Sequence, residues 1–350
     1  MADTTIEPTL ASLSERLRVL HRQTQETPLF NPVFQLSLDI SRKLESGELS
    51  IDALAGLVDE LEAQSLDARA DRLRDLLAPQ NAAERLAGMT GPTDDFDVFR
   101  AFWEQPHMHA VFTAHPTFLL SPQQSDAVAA AVGNGEAASV SDPHERPEIT
   151  LGYEHDRAMA AMANAQDARD RIVETVLASA QQAFPDRWHE ARPLPFRFAS
   201  WVGYDMDGRT DIKWYTSIAF RLAEKAQRLD RYAASLEAVD PGHAMLEQLR
   251  GAAARAHASA AEFAGDLSDP ADLSAAANRL TADHDDKLLS LQPLIDQLES
   301  EARSAEGQRA VALRTLAAAM RADGLGMGWI HFRVNAKQLH NAIRTRLGEA

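Results

Sequence analysis

The chain has 350 residues, 45% of them hydrophobic, with 52 acidic against 35 basic side chains and a formal net charge of −17. Its size supports a buried core in one large or two smaller domains, while the acidic balance opposes nonspecific binding to nucleic acid or anionic membranes, which needs clustered Lys and Arg. The lack of cysteine excludes disulfides, thiolate metal sites and cysteine nucleophiles.

The N-terminus, Met1-Ala2-Asp3-Thr4-Thr5-Ile6-Glu7, has no basic region followed by an apolar run, so it does not read as a secretory signal. No run of ~18 apolar residues suggests a membrane span, and the expected location is cytoplasmic. Residues 51–77 predict a helix with Leu54, Leu57, Val58 and Leu61 on one stripe. Met89 to Asp95 reads as a loop, and residues 1–90 as an N-terminal helical region. A short strand, Val111–Ala114, follows. Gly133 through Pro147 reads as a mobile surface loop. A helix is predicted from Tyr153 to Ala183, then a strand over Phe196–Val202. Trp214, Ile218, Leu222, Leu229, Tyr232 and Leu236 mark the face of another helix, stopped by Asp240-Pro241-Gly242. Further helices are expected over 246–267, 288–298, 311–320 and 336–347. Before the last of them, Trp329–Val334 alternates as a strand, with Ile330, Phe332 and Val334 on one side.

Strands separated by helices usually pair in parallel, and parallel sheets are covered on both faces or closed into barrels. Three strands cannot close a barrel, which commonly takes eight. The expected fold is therefore mostly α, with the first few strands of an α/β (TIM-like) barrel over residues 91–350. That barrel is incomplete within the chain and carries long helical insertions.

Chemistry concentrates in two segments. In Val111-Phe112-Thr113-Ala114-His115-Pro116-Thr117, a strand delivers His115 to a stiff turn, because proline lacks an N–H and biases the residue before it toward extended geometry. An imidazole there suits proton transfer near neutral pH; the alternative is a strand-end histidine bonded to a neighbouring carbonyl. The second segment is Ser200-Trp201-Val202-Gly203-Tyr204-Asp205-Met206-Asp207-Gly208. Its aspartates do not open a calcium-binding loop, since Gly208 comes too early. They suit capping of the next helix or orienting arginines. The pair His107-x-His109 lacks an evident third metal ligand. Gly324-x-Gly326-x-Gly328 is followed by a strand rather than a helix, which rejects a dinucleotide fingerprint.

Together the two segments resemble the phosphoenolpyruvate carboxylase family, whose second motif reads Ser-Trp-x-Gly-Gly-Asp-Arg-Asp-Gly-Asn-Pro. The resemblance covers roughly the N-terminal two-fifths of such an enzyme. It implies carboxylation of phosphoenolpyruvate with bicarbonate to oxaloacetate and phosphate, the anaplerotic supply of the tricarboxylic acid cycle. It further implies a magnesium or manganese ion whose ligands lie outside this chain, a cytoplasmic tetramer, and no nucleic-acid or membrane partner. It casts His115 as the catalytic group and Asp205, Asp207 and Arg209 as substrate-site residues, with no metal ligand here. The chain departs from the pattern at Tyr204, at Met206 where the family has arginine, and at Arg209-Thr210 for Asn-Pro. After Thr117, the family's arginine pair is replaced by Phe118-Leu119-Leu120. Arg209 is expected to restore the charge lost at Met206. On this reading the chain is part of a longer enzyme and inactive alone. The alternative is a catalytically degenerate helical scaffold that binds an anionic metabolite or a partner protein.

Overall fold

The computed structural model describes residues 8–26, 31–77, 88, 94–113, 120–140, 147–207, 209 and 211–346. His115 lies outside these residues, as do positions 89–93 of the predicted loop at 89–95 and 141–146 of the predicted loop at 133–147. Two compact units emerge, Met1–Gln80 with Leu120–Pro147, and Asn81–Leu119 with Glu148–Ala350.

The first unit holds α1 (Leu10–Glu26), α2 (Pro32–Ser46), α3 (Ile51–Leu77) and, from its second segment, α5 (Pro122–Asn134). Asn31 starts α2 by accepting the backbone N–H groups of Val33 and Phe34, and Pro32 sits where its missing N–H costs nothing. A capping box starts α5. Ser121 accepts from the Gln124 backbone while the Gln124 side chain accepts from the Ser121 N–H. The same Gln124 amide donates to Glu62 at 2.5 Å, and Asp67 accepts from the Ala138 N–H at 2.7 Å. Leu66 and Ala70 of α3 are buried against Val128 and Ala131 of α5. That contact engages the second half of α3. Val58 and Leu61 of the predicted stripe are therefore exposed.

The second unit contains α4 (Phe96–Trp103), β1 (Met108–Phe112), α6 (Leu151–Ala183), a 3-10 turn (Trp188–Glu190), β2 (Phe196–Ser200), α7 (Trp214–Val239), α8 (Met245–Phe263), α9 (Pro270–Thr281), α10 (Gln292–Ser304), α11 (Gly307–Asp323), β3 (Trp329–Ile330) and α12 (Ala336–Arg346). Its largest core joins α7, α8, α10 and α11 through Leu229, Leu236, Leu249, Leu298 and Leu313. A second core packs Phe96, Phe99 and Trp103 of α4 on Val176 and Leu177 of α6 and on Val311 of α11. Among the described residues no helix is long and apolar enough to cross a membrane.

The strands form one parallel sheet in the order β1-β2-β3, with Phe112 opposite Ser200 and Ser200 opposite Ile330. Met159 and Met162 of α6 cover one face by packing on Phe198 and Val202. Gly328 (φ 131°) allows β3 to close on β2, because a Cβ there would lie 2.7 Å from the Phe198 carbonyl oxygen. The ladder of β3 stops at Ile330, short of the predicted Val334. Beyond it the chain has no regular structure apart from a bridge between Arg333 and Asp205, and Phe332 and Val334 are exposed.

Candidate functional site

The C-terminal ends of the three parallel strands gather the segments that follow Phe112, Ser200 and Ile330. In open α/β sheets this edge is where ligands bind, since loops of different strands converge there. Ser200 anchors the junction. Its hydroxyl donates to the Phe112 carbonyl at 2.9 Å and accepts from the Val202 N–H at 3.2 Å, while the Ser200 carbonyl accepts from the His331 N–H at 2.9 Å. Beside it the Trp201 indole N–H donates to the Thr113 hydroxyl at 2.5 Å. The two sequence motifs thus meet side chain to side chain. Ala114 and His115 follow Thr113 directly, but His115 lies outside the described residues.

The turn after Trp201 is built for close packing. Gly203 has φ 85°, and a Cβ there would enter the Phe220 ring at 2.3 Å. The Gly203 carbonyl accepts from Ser217 of α7 at 2.6 Å. Tyr204 turns inward and donates to Glu224 at 2.6 Å; Glu224 also meets His155 Nε2 at 3.2 Å and accepts from Arg221 at 3.2 Å. Burial, and then the Glu224 carboxylate, push the Tyr204 hydroxyl well above the usual phenol range. Tyr204 is therefore a buried strut between β2 and α7. Met206 lines an open apolar recess of about 500 Å³ with Trp214, Ile218, Ile330 and Phe332.

The predicted polar residues separate into two groups. Asp205 receives Arg333 Nη1 at 2.8 Å and the Asp207 N–H at 3.2 Å; Asp207 receives the Asn335 amide at 3.3 Å. Neither aspartate caps α7, whose N-cap is Lys213 without a side-chain bond. Asp205 instead fixes an arginine at the strand edge. Arg333 also lies over the Trp201 ring, 5.3 Å from its centroid, and is half exposed. Arg209 is engaged elsewhere. It holds Asp211 through Nε at 2.9 Å and Nη2 at 2.5 Å, and reaches buried Glu154 at 3.1 Å. The bidentate pair with Asp211 raises the Arg209 guanidinium and holds the Asp211 carboxyl below its usual range.

Sequence reasoning missed Arg333 and Glu224. Arg333 could have been found as a basic residue near the end of the predicted strand Trp329–Val334, comparable to His115 at the end of its own. Glu224 carried no signal, since it sits in an ordinary helical pattern. The pair His107 and His109 does not act together: His107 Nε2 bonds the Phe102 carbonyl at 2.8 Å, while His109 faces the rings of Trp329 and His331. Among the described residues no group of three His, Asp or Glu side chains could hold a metal ion. The chain matches no family model and no curated protein in sequence comparison.

Proposed function

We propose that this chain supplies the N-terminal part of the active site of a phosphoenolpyruvate carboxylase-like enzyme, and that its sheet is the beginning of that enzyme's α/β barrel. The observation that carries the reading is the junction of Trp201 with Thr113, which brings two segments 88 residues apart in sequence to one edge of a parallel sheet. Thr113 and Trp201, one from each of the two segments that carry the resemblance, are thereby neighbours in space.

On this reading an oxygen of bicarbonate attacks the phosphorus of phosphoenolpyruvate. The bond from phosphorus to the enol oxygen breaks, giving carboxyphosphate and the enolate of pyruvate. His115 accepts the carboxyphosphate proton, so that carbon dioxide leaves from phosphate beside the enolate. The enolate carbon then attacks carbon dioxide to give oxaloacetate. Arg333, aligned by Asp205 and stacked on Trp201, grips an anionic oxygen of the substrate; a guanidinium held in a fixed plane is suited to that task. Asp207 steadies the same turn through Asn335. Arg209 supports the turn from behind through Glu154 and Asp211 rather than reaching the substrate. By the resemblance, the ligands of the divalent ion belong to residues outside this chain.

A second reading, a noncatalytic scaffold for an anionic metabolite, draws on Met206 and on the engagement of Arg209 by two carboxylates. The assay that separates the two is bicarbonate-dependent formation of oxaloacetate by the longest natural reading frame that contains these residues. The carboxylase reading predicts turnover with magnesium by that product and no phosphate release by residues 1–350 alone. Phosphate release by residues 1–350, or a folded full product without turnover, would refute it. Arg333→Gln in the active product should raise KM for phosphoenolpyruvate at least tenfold, and an unchanged KM would remove Arg333 from the site.

A further inference from the structure

Away from the strand ends, three cations gather without a carboxylate partner among the described residues. Lys225 of α7, Arg255 of α8 and Lys287 of the segment that joins α9 to α10 line a recess of about 310 Å³. Ligand pockets commonly measure ~300–1,000 Å³, so a small molecule has room here. The chain has five lysines in all, and two of them meet at this one recess.

Each of the three donates to main-chain carbonyls, which carry no charge to match theirs. Lys225 Nζ reaches Leu288 at 2.6 Å, Lys287 Nζ reaches Thr281 at 2.9 Å and Ala282 at 3.3 Å, and Arg255 Nη2 reaches Arg279 at 3.3 Å. Part of this is capping, since three of those carbonyls lie at the C-terminal end of α9. A helix end supplies only about half a negative charge, which does not neutralise three cations. Asp286 also lines the recess, but it lies against α8, where a Cβ on Gly251 would stand 2.9 Å from its Oδ1, and it pairs with none of the three. Neighbouring basic residues do find acids: Arg250 pairs with Glu237 and Arg279 with Glu262.

The cluster is close enough to repel itself. Burial, and then the charges of Arg221, Arg255 and Lys287, hold the Lys225 ammonium below its usual range. An anion in the recess would relieve that repulsion. The three side chains are partly exposed, so a ligand can reach them. A lysine ammonium has three donors and a guanidinium five, so each keeps N–H groups beyond the bonds above. The Ser259 hydroxyl stands beside them, and Leu222 and Leu280 add an apolar wall. Several cations around one point suit a multiply charged oxyanion, and the wall suits an organic group attached to it.

We propose that this recess binds the phosphate monoester of a small molecule. Its phosphoryl oxygens accept from Lys225, Arg255 and Lys287, and its organic group rests on Leu222 and Leu280. A phosphate monoester is largely a dianion at pH 7.5, since its second proton leaves near pH ~6. The site is independent of the carboxylase reading, since none of these residues belongs to the strand edge.

Titration calorimetry on the full chain at pH 7.5 tests this, with phenyl phosphate as the probe. Phenyl sulfate has the same shape with one charge fewer, and inorganic phosphate has the charge without the ring. Phenyl phosphate should bind at least tenfold more tightly than either. Lys287→Gln and Arg255→Gln should each weaken it at least tenfold, while Lys287→Arg, which keeps the charge, should retain it. Arg333→Gln at the strand edge should leave this affinity unchanged, which separates the recess from the carboxylase site. Thermal melts confirm that each variant folds. No binding of phenyl phosphate, equal binding of phenyl sulfate or inorganic phosphate, unchanged affinity in folded Lys287→Gln and Arg255→Gln, or loss in Arg333→Gln alone would each overturn the proposal.

Discussion

At the scale of single residues, the strand edge is held by a few directional bonds whose loss is measurable. Trp201→Phe deletes the indole donor to Thr113 while keeping most of the ring. A hydrogen bond of this kind contributes about 0.5–1.5 kcal/mol, so the unfolding free energy should fall by that much, read as a lower denaturant midpoint at unchanged slope. A midpoint equal to wild type would mean that the two motifs are not coupled through this bond. Gly328 admits no side chain, both for its φ of 131° and for the 2.7 Å approach to the Phe198 carbonyl. These contacts explain why the sequence alone exposed only part of the site. His115, Asp205 and Asp207 belong to motifs with recognisable spacing. Arg333 lies 128 residues from the carboxylate that orients it, and no local pattern records such a partnership. The departures at Tyr204 and Met206 were visible as departures, but their sense depends on Glu224 and Phe332, which only folding brings near.

At the scale of elements, α6, α7 and α11 are tied by one buried carboxylate. Asp323 accepts Arg169 at 2.7 and 2.8 Å and Arg228 at 2.7 Å. Burial alone would raise this carboxyl, but the Arg228 charge and the Arg169 pair outweigh it and hold Asp323 below its usual range. Asp323→Asn leaves buried Arg228 without its counter-charge and Arg169 with Asp170 alone, and should cost about 3–5 kcal/mol at pH 7. The sign with pH follows from the depressed value. Between it and the unfolded carboxyl near ~3.9 the unfolded chain binds more protons, so stability falls with falling pH. The gap between wild type and Asp323→Asn should therefore narrow below about pH 4; urea melts at several pH values measure it, and a gap constant down to acid unfolding would contradict the assignment. Helices of this kind were legible in sequence: the predicted span 51–77 and the start at Trp214 coincide with α3 and α7. The strand ends were not, because pairing with β2, not alternation, decides where β3 stops. Ile330, Phe332 and Val334 alternate without interruption, yet only the first keeps its ladder.

At the scale of the molecule, the two compact units draw on cores of different depth. In the larger unit Leu298 is fully buried among four helices, and Leu298→Ala should cost about 2–5 kcal/mol. In the smaller one the core is a narrow seam between α3 and α5. The net charge of −17 is an unfavourable background for polyanions, against which Arg333 stands as a half-exposed basic group at the strand edge. We propose that His115 acts on carboxyphosphate beside the edge joined by Thr113 and Trp201. The most direct measurement compares wild type with His115→Asn in the longest natural reading frame, as bicarbonate-dependent oxaloacetate formation with and without magnesium. The carboxylase account predicts magnesium-dependent turnover in wild type and its loss in a variant that folds and still binds phosphoenolpyruvate. Wild-type rates in His115→Asn would contradict it.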